Sequence, residues 1–153
     1  MLKQRWLAAC AIVVAAGLGF GQGRMAAAEK KASQAKKHKI VYHFNDADPK
    51  KASAVLTNMQ NHVDVVGWDK VEALELVAHG PGLTPFLKKN MDPELSGKLD
   101  KLLAGGLKFG ACQITMQRQQ IKAEELAEGI EHTPSGVVRL MELQEQGYVY
   151  IKP

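Results

Sequence analysis

Short apolar runs alternate with amphipathic stretches along most of this chain, and this alternation constrains its fold more than any other feature. Residues 39–45 and 71–78 are compact apolar runs that predict buried strands. Between them, Pro49 follows Asp48 at a predicted helix start, and apolar residues recur at helical spacing up to Gly67. Strands separated by helices of this length predict βαβ units, which build a parallel sheet with helices on both faces.

The rest of the chain continues the same pattern. The predicted elements are a helix from Asp92-Pro93 to Gly105-Gly106, a strand at 107–111 ending at Cys112, short helical pieces at 114–119 and 123–128, a brief strand at 129–132, a helix capped by Thr133-Pro134 and ended by Gly147, and a strand at 148–151. We therefore expect an α/β fold with a mostly parallel sheet of about five strands.

The N-terminal segment has the layout of a secretory signal peptide. Lys3 and Arg5 precede an uncharged apolar run at 6–20, and the small residues of a cleavage site follow at 26–28. We expect residues 1–28 to be removed and the protein to be periplasmic, without stable membrane insertion after cleavage. The alternative is an uncleaved N-terminal anchor. A lysine-rich linker is expected at 29–37, followed by one domain at 38–153.

The net charge of +4 does not describe the domain. Basic residues concentrate in the signal segment and the linker, whereas from His38 onward acidic residues outnumber basic ones. No basic stripe interleaved with aromatic residues is present, so we expect no nucleic-acid partner.

Cysteine usage is the most informative part of the composition. Of two cysteines, Cys10 leaves with the signal peptide and Cys112 remains alone. An exported protein usually pairs its cysteines or avoids them. A single thiol there is either buried and inert, or kept for reactivity or for pairing with another chain.

Reactive side chains occur where predicted strands end, which is where parallel sheets bind ligands. Cys112 precedes a predicted helix start, whose N–H groups favour a thiolate, and we expect its thiol to be partly exposed. His79 and His43 are candidate proton partners for it. The candidate catalytic residues are thus Cys112, His79 and His43, and the candidate ligand-binding residues are Asn45, Gly80 and Gln113.

Other kinds of site lack support in the sequence. Cys112, His43 and His79 are ligand types for zinc or copper, but their spacing is not that of a metal motif, so we predict no metal. The segment 79–82 has neither the GxGxxG pattern nor the P-loop lysine, and we predict no cofactor. Ser135 does not stand in a GxSxG hydrolase motif.

Taken in order, several segments resemble the DsrE/DsrF-like family, specifically its exported single-domain branch. They are KIVYHFN at 39–45, LELVAHG at 74–80, KFGAC at 108–112, PSG at 134–136 and QGYVYIKP at 146–153. The resemblance implies a flavodoxin-like three-layer α/β/α sandwich, assembled as a homo-trimer or homo-hexamer. It also implies sulfur relay through a persulfide on a cysteine, at the position that Cys112 matches.

We therefore expect a periplasmic sulfur carrier or sulfurtransferase that relays sulfane sulfur on Cys112 between donor and acceptor proteins or thiols. One alternative is a non-catalytic oligomeric module that binds a small ligand or a partner. Another is a redox sensor that forms an intermolecular disulfide. The apolar residues Phe86, Leu87 and Met91 lie outside a strong helical period, and we interpret them as a contact surface between subunits.

Overall fold

A computed structural model describes residues 37–153 of the chain. The predicted signal peptide at 1–28 and the linker at 29–37, apart from Lys37, lie outside the described residues.

Strands and helices alternate throughout the described part, as the sequence pattern predicts. They are β1 (His38–Phe44), α1 (Pro49–Val66), β2 (Val71–Ala78), α2 (Pro93–Gly105), β3 (Leu107–Cys112), α3 (Gln113–Gln119), β4 (Ile130–Thr133), α4 (Gly136–Glu145) and β5 (Val149–Ile151). The stretch predicted as helical at 123–128 is reduced to a 3₁₀ turn, Ala123–Glu125, and a 3₁₀ helix spans Gly80–Phe86. No helix within residues 37–153 has both the length and the apolar character needed to cross a bilayer.

The five strands form one sheet in the order β4-β3-β2-β1-β5, and every pairing is parallel. The predicted α/β fold with about five strands is therefore confirmed, and the sheet is wholly rather than mostly parallel. The order places β1 beside both β2 and β5, so the direction in which strands are added reverses at β1.

This reversal explains how the helices are distributed. Crossovers between parallel strands are right-handed, so connections that advance in one direction lie on one face of the sheet. The steps from β1 to β4 advance in one direction, and α1 and α2 pack on that face. The step from β4 to β5 returns across the sheet, and α4 packs on the opposite face.

The hydrophobic core is correspondingly unequal on the two faces. A large cluster joins α1 and α2 to alternate residues of β1, β2 and β3, and includes Phe86 and Phe109 with their ring centroids 4.8 Å apart. The smaller cluster under α4 consists of Val41, Val77, Leu140 and Leu143. The face under α4 is thus left with room for polar side chains.

Helix starts follow their capping residues, with one correction. The side chains of Asp48 and Asp92 accept hydrogen bonds from the first turns of α1 and α2. We expected Thr133-Pro134 to cap the next helix. Instead Thr133 ends β4, and Ser135 is the N-cap of α4, where its hydroxyl accepts from the N–H of Val138.

The interpretation of Phe86, Leu87 and Met91 as a contact surface is wrong. Phe86 is fully buried, Leu87 is buried, and Met91 packs against the same core cluster. These residues lack a helical period because Phe86 ends a 3₁₀ helix and Leu87 begins the turn after it, not because they face another subunit.

Phe86→Ala is expected to lower the free energy of unfolding by about 3–5 kcal/mol, because it opens a cavity between Phe44 and Phe109. Val65→Ala is the control, since Val65 is 87% exposed and its truncation should change stability little. Chemical denaturation of both variants measures the difference. Equal stabilities would contradict the placement of Phe86 in the core.

Candidate functional site

The candidate catalytic residues meet at the carboxyl edge of three neighbouring strands. His43 lies near the end of β1, His79 directly follows β2, and Cys112 ends β3. All three are on the face that α4 covers. His43 and His79 line a groove beside α4, and the start of α4 stands over His79 and Cys112.

The two histidines form one hydrogen-bonded unit. Their Nε2 atoms are 2.7 Å apart, and the rings are inclined by only 23°. On the other side of the His43 ring, Nδ1 is 2.6 Å from the hydroxyl oxygen of Tyr150 in β5. Tyr150 was not among the predicted site residues, although it belongs to the Tyr-x-Tyr tail segment that carried the resemblance.

Burial and positive charge keep both imidazoles neutral. Burial, together with the charges of His79 and Lys152, lowers the pKa of His43 to about 4. Burial also lowers the pKa of His79, and the charge of Lys152 adds to the effect. At neutral pH each ring therefore has one N–H donor and one lone pair, which is the state needed for proton transfer.

Cys112 is more enclosed than the sequence led us to expect. It is 5% exposed, so the prediction of a partly exposed thiol is wrong. Burial raises the pKa of the thiol, but the backbone N–H groups of Gly136, Thr115 and Ile114 and the Thr115 hydroxyl favour the thiolate more strongly. The net effect lowers the pKa of Cys112 below its ordinary value.

Thr115 connects the cysteine to the loop after β2. Its Oγ1 accepts a hydrogen bond of 2.8 Å from the N–H of Gly80, which leaves the hydroxyl proton for the Cys112 sulfur. Gly80 has a φ of 55°, in the left-handed region that favours glycine. The backbone of Gly80 thus orients a donor to the thiol, and its predicted ligand-binding role stays a prediction.

Gly136 allows α4 to approach the site closely. A Cβ atom at this position would lie 3.0 Å from the Cβ of His79 and 3.2 Å from the Cβ of Cys112. The side chains of His79 and Cys112 therefore both start next to Gly136. A larger residue would push the helix start away from both.

A buried ion pair fixes α4 on the sheet. Glu75 of β2 is buried, and its two carboxylate oxygens accept hydrogen bonds of 2.7 and 2.8 Å from the guanidinium of Arg139. These hydrogen bonds raise the pKa of Arg139. The pair was not predicted from the sequence, although a glutamate inside the apolar run at 71–78 is a signal that a partner is needed.

The remaining predicted residues, Asn45 and Gln113, do not line the groove that His43 and His79 share. Asn45 lines a cavity of about 470 Å³ that it shares with His43, Lys51 and Lys152. Gln113 is exposed and lines a separate cavity of about 380 Å³ beside His132. Within residues 37–153 no three histidine, cysteine or acidic side chains converge in a way that could hold a metal ion.

Comparison with known proteins agrees with the fold described above. The sequence model of the DsrE/DsrF-like family matches residues 38–153. The structure is similar to that of MTH1491 from Methanobacterium thermoautotrophicum, described as a protein of unknown function, with a TM-score of 0.68 and 26% identity over 76% of this chain and 100% of the other. It is also similar to ychN from E. coli, with a TM-score of 0.59 and 16% identity over 76% and 99% of the two chains, which shows the fold alone. No curated protein matches the sequence significantly.

Thr115→Val is expected to raise the pKa of Cys112, because it removes a hydroxyl donor while the thiol stays buried. Thr115→Ser keeps the hydroxyl and is the control. The measurement is the pH dependence of alkylation in a Cys10→Ser background, where Cys112 is the sole cysteine. The protein that retains Thr115 should show an alkylation midpoint below a pH of about 8.5. The alkylation midpoint of Thr115→Val should be higher than that of Thr115→Ser. Coincident midpoints for these two variants would contradict the assigned role of the hydroxyl.

Proposed function

Because the chain belongs to the DsrE/DsrF-like family, a family related to sulfur relay, we propose that it carries sulfane sulfur as a persulfide on Cys112. The observation that supports this most directly is the set of groups around the Cys112 thiol. Cys112 ends a central strand amid N–H and hydroxyl groups that stabilise a thiolate. The start of α4 lies beside both Cys112 and the neutral imidazole of His79, which is in turn hydrogen-bonded to His43.

The proposed chemistry is an exchange at sulfur without net oxidation. The Cys112 thiolate attacks the outer sulfur of a donor persulfide, so a new S–S bond forms as the donor's S–S bond breaks. The donor leaves as a thiolate, which takes up a proton. In the second step an acceptor thiolate attacks the outer sulfur on Cys112 and restores the original thiolate.

The electrostatics of the site suit anionic sulfur at each stage. The N–H groups of Ile114, Thr115 and Gly136 surround the position of the Cys112 sulfur, and Lys152 lies close enough to lower the pKa of both histidines. Fixed N–H donors stabilise an anion at low reorganisation cost. His79 passes a proton to the departing thiolate from one ring nitrogen and takes one up at the other, so that the proton comes from water by way of the neutral imidazoles.

A non-catalytic binding module is the second candidate, and the enclosure of Cys112 is the observation that favours it. A thiol that is 5% exposed behaves as a small apolar side chain unless the cover over it opens. The neighbouring groove of about 520 Å³, lined by His43, His79 and apolar residues of α4, is large enough for a small ligand.

We also propose that the protein is exported to the periplasm and acts as a homo-oligomer. The basic, apolar and small-residue order of residues 1–28 supports export. Three apolar side chains that α4 leaves exposed support self-association; they are Val137, Val138 and Met141, the α4 patch. The sulfur donor and acceptor would then meet the protein outside the cytoplasm.

Treatment with inorganic polysulfide should load one sulfur atom onto Cys112, because the stabilised thiolate attacks the terminal sulfur. Intact-mass spectrometry of Cys10→Ser protein should show an adduct of one sulfur that cyanide removes. A protein that also carries Cys112→Ser should show none, with an unchanged circular dichroism spectrum. Absence of the adduct from both proteins, together with slow alkylation at every pH, would reject the carrier and favour the binding module.

Met141→Lys is expected to shift the assembly toward monomer, because a charge would be buried when the α4 patch meets another copy. Val65→Lys, at an 87% exposed site on α1, is the matched control. Light scattering at micromolar concentration measures the mass of each protein. If the protein without either substitution is monomeric, self-association is excluded. If Met141→Lys leaves an oligomer intact, the α4 patch is excluded as its contact surface.

A further inference from the structure

Tyr150, His43 and His79 form a continuous chain of polar atoms at the carboxyl edge of the sheet. The hydroxyl oxygen of Tyr150 is 2.6 Å from His43 Nδ1, and His43 Nε2 is 2.7 Å from His79 Nε2. Both contacts have the distances of short hydrogen bonds. The chain starts at a tyrosine that is 40% exposed and ends at His79, and all three residues line the groove beside α4.

The protons in this chain can be counted. A neutral imidazole has one N–H and one lone pair, so the contact between the two Nε2 atoms needs one donor and one acceptor. If His43 donates through Nε2, then its Nδ1 accepts from Tyr150 and the proton of His79 is on Nδ1. If His79 donates through Nε2, every bond in the chain reverses, and His79 Nδ1 carries a lone pair.

Tyr150 selects the first arrangement. A phenol is a stronger acid than a neutral imidazole N–H, and an imidazole nitrogen is a stronger base than a phenol oxygen. The O–H group of Tyr150 therefore donates to His43 Nδ1, and the hydrogen bond at one ring nitrogen fixes the proton on the other. The exposed oxygen of Tyr150 remains free to accept from water.

The far end of the chain is open. Among residues 37–153 every buried side-chain nitrogen and oxygen has a hydrogen-bond partner. His79 Nδ1 makes no hydrogen bond to the side chains or backbone of this range, so it is accessible to solvent. The selected arrangement thus presents an N–H donor from His79 at the groove.

Burial, with the charge of Lys152 added to it, keeps both imidazoles of the chain neutral. Lys152 follows Tyr150 and disfavours a proton on either imidazole. Lys51 and Asp46 line the cavity on the α1 side of His43 and pair with each other. Glu145 of α4 lines the groove, and Cys112 and His79 both lie next to Gly136.

We propose that Tyr150 is a positioning residue, which sets the tautomers of His43 and His79 so that the chain conducts protons between water at the Tyr150 hydroxyl and His79 Nδ1. Its use in catalysis rests on the proposed function. When a donor thiolate departs, it takes the proton of His79 Nδ1. His79 Nε2 then takes the proton of His43, His43 Nδ1 takes that of Tyr150, and water restores the hydroxyl. An acceptor thiol that gives its proton to His79 Nδ1 reverses each transfer.

The test is the tautomer state of the two histidines, read from ¹⁵N–¹H correlation spectra of the neutral protein. With Tyr150 present, His43 should carry its proton on Nε2 and His79 on Nδ1. In Tyr150→Phe the preference should weaken by about fivefold or more, the effect of losing one hydrogen bond. Tyr148→Phe is the control, since Tyr148 packs on the Val41 and Val77 cluster and should leave both tautomers unchanged.

The spectrum of the unsubstituted protein tests the tautomer assignment by itself, whether or not Tyr150→Phe folds. His43 with its proton on Nδ1, or two protonated rings at neutral pH, would overturn it. So would tautomers that Tyr150→Phe leaves unaltered. A protein with the stated tautomers that forms no persulfide on Cys112 would reject the proposed function and leave the tautomer assignment standing.

Discussion

The buried ion pair between Glu75 and Arg139 holds together the part of the molecule on which the site depends. Just one helix, α4, covers its face of the sheet within the described residues, and its apolar contact involves a small cluster of side chains. Two short hydrogen bonds to a buried carboxylate fix the rotation and height of that helix. Removing Arg139 would leave the buried Glu75 carboxylate uncompensated under the helix, which typically costs about 3–5 kcal/mol. The position of Gly136 over His79 and Cys112 follows from this anchor.

The strand order brings distant residues into contact at the same place. Ligand sites in parallel sheets form where the order of strand addition reverses, and here that point is between β1 and β5. The hydrogen bond from Tyr150 to His43 crosses it. His79 and Cys112 follow on the next two strands, so the proton chain and the thiol occupy neighbouring parts of one edge. The proposed roles of the proton chain and of the thiol therefore follow from the strand order and from the chemistry of the side chains.

Much of the fold could be predicted from the sequence, because hydrophobic period and capping residues act locally. The bounds of β2 and the helix start behind Asp48 are cases in which the local signal was sufficient. The site was harder to predict from the sequence than the fold. Strand ends identified His43, His79 and Cys112, but no periodicity shows that Gly136 covers the thiol or that Glu75 meets Arg139. Phe86 was misread because a 3₁₀ segment buries side chains without a helical repeat.

The pairing of β5 with β1 has a consequence for how the protein matures. Tyr150 and His43 are 107 residues apart in the chain, and loop closure over such a distance is entropically costly until the intervening sheet has formed. Chains grow from the N-terminus at roughly 5–20 residues per second, so β1 to β3 emerge seconds before their last neighbour. During that interval His43 has no phenol beside it, and α4 has not yet closed over Cys112. Until α4 packs on the sheet, the thiol lacks the cover that leaves it 5% exposed in the folded domain.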